Sequence, residues 1–184
     1  MSSLIDSFKG KMNENVKIRW VKMSDASAVL NFRKAVCRES RFLITKPDEV
    51  GSFAEQRRHI ALYLSDPKRI FLIAHWNSES DIVGIVTLAG FPKRKIAHVA
   101  ELGISVRKDY WGMGIGSRLM YECLREAKER AFKKIQLEVM VENNRAISLY
   151  KKFGFTEEGL KKRSVFDGNT YSDLLLMGLW LGDK

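Results

Sequence analysis

Residues 111–116, Trp111-Gly112-Met113-Gly114-Ile115-Gly116, put three glycines between a β-rich run (97–106) and an amphipathic stretch (116–132). In that stretch Ile115, Leu119, Cys123 and Ala127 recur at i+4, the spacing of one helix face. The segment therefore predicts a strand that turns sharply into a helix. Glycines at such a corner let the backbone turn and approach a ligand with no Cβ in the way. The helix N-terminus there presents unpaired N–H groups and about half a positive charge from the macrodipole, a combination suited to phosphate. A plain structural turn is the alternative for the corner taken alone.

The rest of the chain supplies the frame. Residues 16–22 alternate, Val16, Ile18 and Trp20 against Lys17, Arg19 and Lys22, and predict a half-buried strand. Ser24 is placed to N-cap a helix to about residue 40, with Val29, Phe32 and Val36 on one face. Pro47 and Gly51 bracket a break before a helix over 52–64 that carries Phe53, Ile60 and Leu64 inward. Strands over 70–76 and 81–89 flank the polar turn Asn77-Ser78-Glu79-Ser80. A strand over 135–141, a helix over 145–153 stopped by Gly154, and strands over 155–166 and 171–181 joined by Asp167-Gly168-Asn169 complete the chain. The order is β, α, α, β, β, β, α, β, α, β, β with no repeat or linker. It predicts a single α/β domain over 16–184 with a mixed sheet of about seven strands and about four helices on its two faces. Residues 1–15 are polar and predict a flexible N-terminal extension with room for one short helix.

At 184 residues the chain can bury a stable core, and 45% hydrophobic with 29% charged residues is ordinary for a globular protein. Cys37 and Cys123 lie far apart and form no CxxC pair, which predicts two reduced, helix-buried thiols. No run of about 18 apolar residues occurs, and the start lacks a signal-peptide core, so the expectation is a cytoplasmic protein without a membrane partner. Net charge +10 suits an anionic partner, whether nucleic acid, an acidic surface or a phosphorylated cofactor, and serves solubility equally well. His59, His75 and His98 are scattered without ligand spacing, so no metal is expected.

Read as a dinucleotide fingerprint, the corner would need Gly or Ala where Ser117 stands, and it lacks the Gly-Lys-Ser/Thr of a nucleotide-triphosphate loop. A second segment, from Asn143 to Phe155, places Ala146, Leu149 and Tyr150 on one helical face and Phe155 at the start of the next strand. Together the two segments resemble the GNAT family of N-acetyltransferases. The family's acetyl-CoA motif, Gln/Arg-x-x-Gly-x-Gly/Ala, is matched from Trp111 to Gly116 except at its first position, where Trp111 stands. The downstream signature Asn-x-x-Ala-x-x-Leu-Tyr-x-x-x-Gly-Phe is matched completely from Asn143 to Phe155. The element order matches from 16 to 181, so the resemblance implies the GNAT fold over nearly the whole chain.

The resemblance also implies roles. The strand ending at Val106 would splay from the 135–141 strand and admit the pantetheine arm of acetyl-CoA, pairing it with the backbone of Ile104, Ser105 and Val106. The N–H groups of Gly112, Met113, Gly114, Ile115, Gly116 and Ser117 would hold the pyrophosphate, which backbone donors can do whatever side chain occupies 111. Asn143 would contact the pantetheine or the adjacent backbone, and Arg118, Arg145 and Lys152 are candidates for the 3′-phosphate. Tyr150 matches the family's general acid. Glu101, the only carboxylate inside the 97–106 strand, is the candidate base, acting through water; a structural ion pair is its alternative. His98 lies near enough in sequence to line the acceptor side.

The implied activity is transfer of an acetyl group to a primary amine by direct attack on the thioester, with a small amine, a polyamine or a protein N-terminus as acceptor. Locally acidic Asp48, Glu49 and Glu55 would suit a polyamine, or be solvent-facing charges near a helix start. The C-terminal portion resembles the bacterial small-amine or ribosomal-protein acetyltransferase branch; members of the family are often dimers, so the resemblance allows a homodimer. A non-catalytic acyl-CoA sensor and a basic nucleic-acid-binding module, suggested by Lys161-Lys162-Arg163, are the rival classes; the latter lacks any recognisable nucleic-acid-binding signature.

Overall fold

The computed structural model describes residues 4–9 and 15–182. Eight strands form one sheet: β1 (Leu4–Lys9), β2 (Asn15–Trp20), β3 (Arg69–Trp76), β4 (Ile82–Gly90), β5 (Val99–Val106), β6 (Lys134–Met140), β7 (Thr156–Phe166) and β8 (Tyr171–Trp180). Their spatial order is β1-β2-β3-β4-β5-β6-β8-β7, antiparallel throughout except for the parallel pair β5–β6. Four α-helices connect them: α1 (Ala26–Glu39), α2 (Phe53–Ser65), α3 (Ile115–Glu129) and α4 (Asn144–Lys152). The expected mixed sheet is present with one strand more. The added strand is β1, where a flexible extension was expected: its backbone pairs with β2 from Leu4↔Arg19 to Lys9↔Asn15.

Each face of the sheet carries its own apolar layer. On one, Leu119, Met120 and Cys123 of α3 pack with Leu72, Val86, Leu88, Leu102, Ile135 and Leu137. On the other, Val29, Phe32 and Val36 of α1 and Ile60 of α2 pack on Phe71, Ile73 and Ile85. The i+4 stripe Ile115, Leu119, Cys123, Ala127 is fully buried, as its periodicity predicted. The inward face of α2 is not as expected: Ile60 and Gln56 are buried, whereas Phe53 and Leu64 are exposed. All four share one i+3/i+4 face, but Phe53 and Leu64 stand at the two ends of α2, and burial is confined to its middle turns.

Two further expectations are corrected at the start of α1. Ser24 does not cap it; Ser24 lies inside a short 3-10 turn (Met23–Asp25) that precedes the helix. Arg19, read as the polar side of a half-buried strand, is buried. Its guanidinium forks onto Asp25, Nη1 to Oδ2 at 2.7 Å and Nη2 to Oδ1 at 2.8 Å, and the Lys22 backbone N–H donates to the same carboxylate at 2.7 Å. This bidentate pair ties the start of α1 to the sheet. Burial alone would raise the Asp25 pKa, but the hydrogen bonds from Arg19 and the Lys22 N–H hold it below the usual carboxylate value. His75, also buried on this face, is held below the ordinary imidazole value by burial and then by Arg19.

Truncating Asp25→Ala leaves the buried Arg19 cation with only the exposed Glu79 carboxylate, at 3.7 Å, and urea denaturation is expected to show a loss of about 3–5 kcal/mol. A loss below about 1 kcal/mol contradicts a structural role for the pair. Asp25 and His75 both bind protons less readily in the folded chain than in the unfolded one. Stability is therefore complete above their unfolded values and is lost as pH falls through them. Thermal melts are expected to hold a plateau above pH 7, then descend below 6.5 through His75 and again below 3.8 through Asp25. A melting temperature that stays flat to pH 5 contradicts the first step.

Candidate active site

The parallel contact between β5 and β6 is short. It runs from Val99↔Lys134 to Glu101↔Gln136 and stops, while β5 continues to Val106 paired only with β4. The strands splay from Leu102 onward, as the resemblance implied. The gap opens into a cleft of about 1340 Å³ bounded by α1, the 40–45 connection, β5, the glycine corner, α3 and α4.

The corner is built from backbone handedness. Gly112 and Gly114 have φ of +77° and +90°, and Gly114 stands at the N-cap of α3. A Cβ at either would meet nothing within 4 Å, so these glycines serve conformation and leave open space in front of them. The N–H groups of Ile115, Gly116 and Ser117 begin the helix without intrahelical acceptors and line the cleft. Gly116 has ordinary contacts, Leu149 of α4 at 3.5 Å from a built Cβ, so the helix start rests on α4.

Every residue singled out for cofactor contact lines this one cleft: Ile104, Ser105 and Val106, then Gly112 through Arg118, then Asn143, Arg145 and Lys152. Their side chains have distinct attachments. Asn143 caps α4, its Oδ1 accepting from the Ala146 N–H at 3.3 Å, so it contacts the adjacent backbone. Arg118 pairs with buried Glu122 at 3.0 Å and lies over the Tyr121 ring. Lys152 is exposed. Trp111 is the position where the chain departs from the family's motif. Its indole Nε1–H donates to the Val106 carbonyl at 2.8 Å, and the Arg145 guanidinium stacks 4.4 Å from its ring centre. It therefore staples the corner to the end of β5 and to α4, and it occupies the carbonyl of Val106, one of the three residues whose backbone was expected to pair with the pantetheine arm.

Tyr150 lies in the cleft wall, buried against Phe155 with ring centres 5.8 Å apart, and burial pushes its phenol up to about 12. Glu101 is not brought to this cleft. It faces a neighbouring cavity of about 210 Å³, together with Gln136, Glu138 and Lys161. Glu138, which pairs with Lys161, lines both cavities. Glu101 is exposed and makes no ion pair or hydrogen bond among the described residues. The burial that was expected of a carboxylate in this strand is absent. His98 is exposed and lines neither cavity. The acidic residues near α2 serve local turns: Glu55 closes a capping box with Ser52, and Glu49 accepts from the Lys46 N–H at 2.8 Å.

Sequence reasoning singled out for the site none of the residues on the opposite wall of the cleft. Phe32, Arg33, Val36 and Cys37 of α1, Phe42 to Thr45 beyond it, and His59 of α2 all line the cleft. A pair of helical neighbours, Phe32/Val36 and Arg33/Cys37, was the available signal. The end of α1 is fixed beside the corner by Glu39, which accepts from Arg107 Nε at 2.6 Å and from the Lys108 N–H at 2.8 Å. Among the described residues, no group of three or more His, Cys, Asp or Glu is placed to hold a metal ion, and no helix is long and apolar enough to cross a membrane.

Gly114 and Gly116 are expected to respond oppositely to alanine. Gly114→Ala forces a Cβ into the left-handed region and should cost about 1–2 kcal/mol in urea denaturation. Gly116→Ala, in helical conformation with room for a methyl, should be neutral or stabilising by about 0.5–1 kcal/mol. Equal effects contradict the conformational account of the corner.

A family model described as Acetyltransferase (GNAT) family matches residues 35–155. The L-amino acid N-acetyltransferase AaaT of Escherichia coli (strain K12) is 33% identical over 100 residues, 54% of this chain and 62% of that relative, so less than two thirds of its length is matched. The crystal structure of a GNAT-family acetyltransferase from Streptococcus pneumoniae is similar with a TM-score of 0.85 at 28% identity, covering 91% of this chain and 99% of that one. The fold is shared at 16% identity and a TM-score of 0.82 by yncA from Salmonella typhimurium, solved with its cofactor acetyl-CoA, over 92% of this chain and 96% of that one. With its strand gap, glycine corner and Asn143 signature in one cleft, this chain belongs to the acetyltransferase (GNAT) family.

Proposed function

We propose that this N-acetyltransferase takes the acetyl group from acetyl-CoA and gives it to a primary amine that attacks the thioester directly. The observation that carries the reading is the convergence of the β5–β6 gap, the α3 N-terminus and Tyr150 on one cleft. The pyrophosphate meets the N–H groups of 112–117, where donors and helix dipole favour a dianion. The pantetheine arm follows β5, whose Leu102–Val106 edge has lost its β6 partner. Arg118, Arg145 and Lys152 supply the positive charge for the 3′-phosphate.

In the transfer, the amine nitrogen forms its bond to the acetyl carbonyl carbon as the carbon–sulfur bond breaks. The departing thiolate takes the proton of the Tyr150 phenol, which a pKa near 12 keeps protonated at neutral pH. Before attack the ammonium gives one proton to a water-linked carboxylate, and the second N–H proton, released as the amide forms, returns to the Tyr150 phenolate. Glu101 reaches the cleft only across Glu138, which borders both cavities, so water between them is the path the role requires.

Calorimetric titration with acetyl-CoA tests the reading: saturable binding is expected, and no heat at millimolar ligand sinks it. Tyr150→Phe is expected to lower kcat by about 100-fold or more with acetyl-CoA affinity unchanged, since only the proton donor is removed. Unaltered turnover, where chemistry limits the rate, removes Tyr150 from the acid role.

A further inference from the structure

The cations that line the cleft fall into two groups. Arg118, Arg145 and Lys152 stand on α3 and α4, beside the glycine corner. Arg33 stands apart from them on α1, which packs on the opposite face of the sheet. Around it the wall is apolar, formed by Phe32, Val36, Phe42, Leu43 and Phe71. Arg33 is half-buried, and its one hydrogen bond, Nη1 to Oε1 of buried Gln56 at 3.1 Å, is to a neutral group. Among the described residues no carboxylate lies within salt-bridge distance of it.

The nearby carboxylates are committed elsewhere. Glu39 holds Arg107, Glu49 caps the Lys46 N–H, Glu55 closes the Ser52 box, and Glu138 pairs with Lys161. His59, also in this wall, is held below the usual imidazole value by burial and then by Arg33 and Arg69, so it adds no charge at neutral pH. A guanidinium with five donors, one of them used, facing an apolar cleft without a counter-ion has its ion-pairing capacity open. The phosphates of coenzyme A are served from the far end.

On the reading that the chain is an acetyl-CoA-dependent N-acetyltransferase, we propose that Arg33 binds the carboxylate of the acceptor, which is a free amino acid with an apolar side chain. The guanidinium forks onto the carboxylate, the apolar wall takes the side chain, and the amine is left to face the thioester. A polyamine, which is cationic throughout, is disfavoured by the same charge. A peptide N-terminus lacks the α-carboxylate at that position.

The test uses the intact chain at saturating acetyl-CoA, following thiol release. The acceptors are free apolar L-amino acids, their α-amides, spermidine and a peptide beginning with the best amino acid. The free amino acid should be preferred over its amide and over the peptide by about tenfold or more. Arg33→Gln should raise its KM about 10- to 100-fold, leaving the amide within about twofold and acetyl-CoA affinity unchanged. Arg33→Lys should recover part of the preference, which separates charge recognition from damage to the fold. Equal turnover of acid and amide, preference for spermidine or the peptide, or an equal loss on both in Arg33→Gln overturns the proposal. Failure to bind acetyl-CoA is a different result and removes the enzyme reading on which it rests.

Discussion

Parallel strands must be joined by a crossover, and in this sheet the crossover between β5 and β6 is α3 with the glycine corner at its head. The two strands stay together for three residue pairs and then part, each remaining bonded to its outer neighbour, β4 or β8. That interrupted ladder is what the site depends on. It leaves a row of β5 backbone groups without a strand partner at the point where the helix that follows presents its own unpaired N–H groups. An extended ligand with an amide-bearing arm and an anionic end answers both needs at once.

The parts around the gap keep it open and shaped. Buried Leu119, Met120 and Cys123 hold α3 against the sheet on one face, and the Arg19–Asp25 fork with the Glu39–Arg107 pair fixes the two ends of α1 on the other. Trp111 joins the corner to β5 and, through Arg145, to α4. Its indole N–H reaches the Val106 carbonyl, a hydrogen bond to the backbone across five residues, and its ring offers a face for the guanidinium. The same residue thus stabilises the turn and positions a cation beside the glycine corner.

What could be read from the sequence was what repeats along the chain. The i+4 stripe of α3 and the alternation of the strands follow from local geometry, and the two glycine- and asparagine-centred motifs carried residues that the fold brings to one cleft. What could not be read depends on partners distant in the chain. Arg19 looked like a surface residue because its partner Asp25 is visible only when α1 folds back on β2. β1 has three apolar residues, Leu4, Ile5 and Phe8, without regular alternation, and becomes a strand through pairing with β2. Glu101 was expected to need a reason for burial, yet it is exposed, and the apolar Ala100, Leu102 and Ile104 beside it belong to the opposite face. Arg33 carried little beyond its i+4 spacing to Cys37, since its meaning lies in the carboxylates that are engaged elsewhere.

Hydrogen–deuterium exchange of the intact chain with and without coenzyme A tests the gap most directly, because it reads the backbone N–H groups themselves. Binding is expected to slow exchange at Gly112 to Ser117 and along Leu102 to Val106, with β7 and β8 unchanged. Coenzyme A that protects other segments, or leaves these two unprotected, contradicts the account that the interrupted β5–β6 ladder and the glycine corner form one binding site.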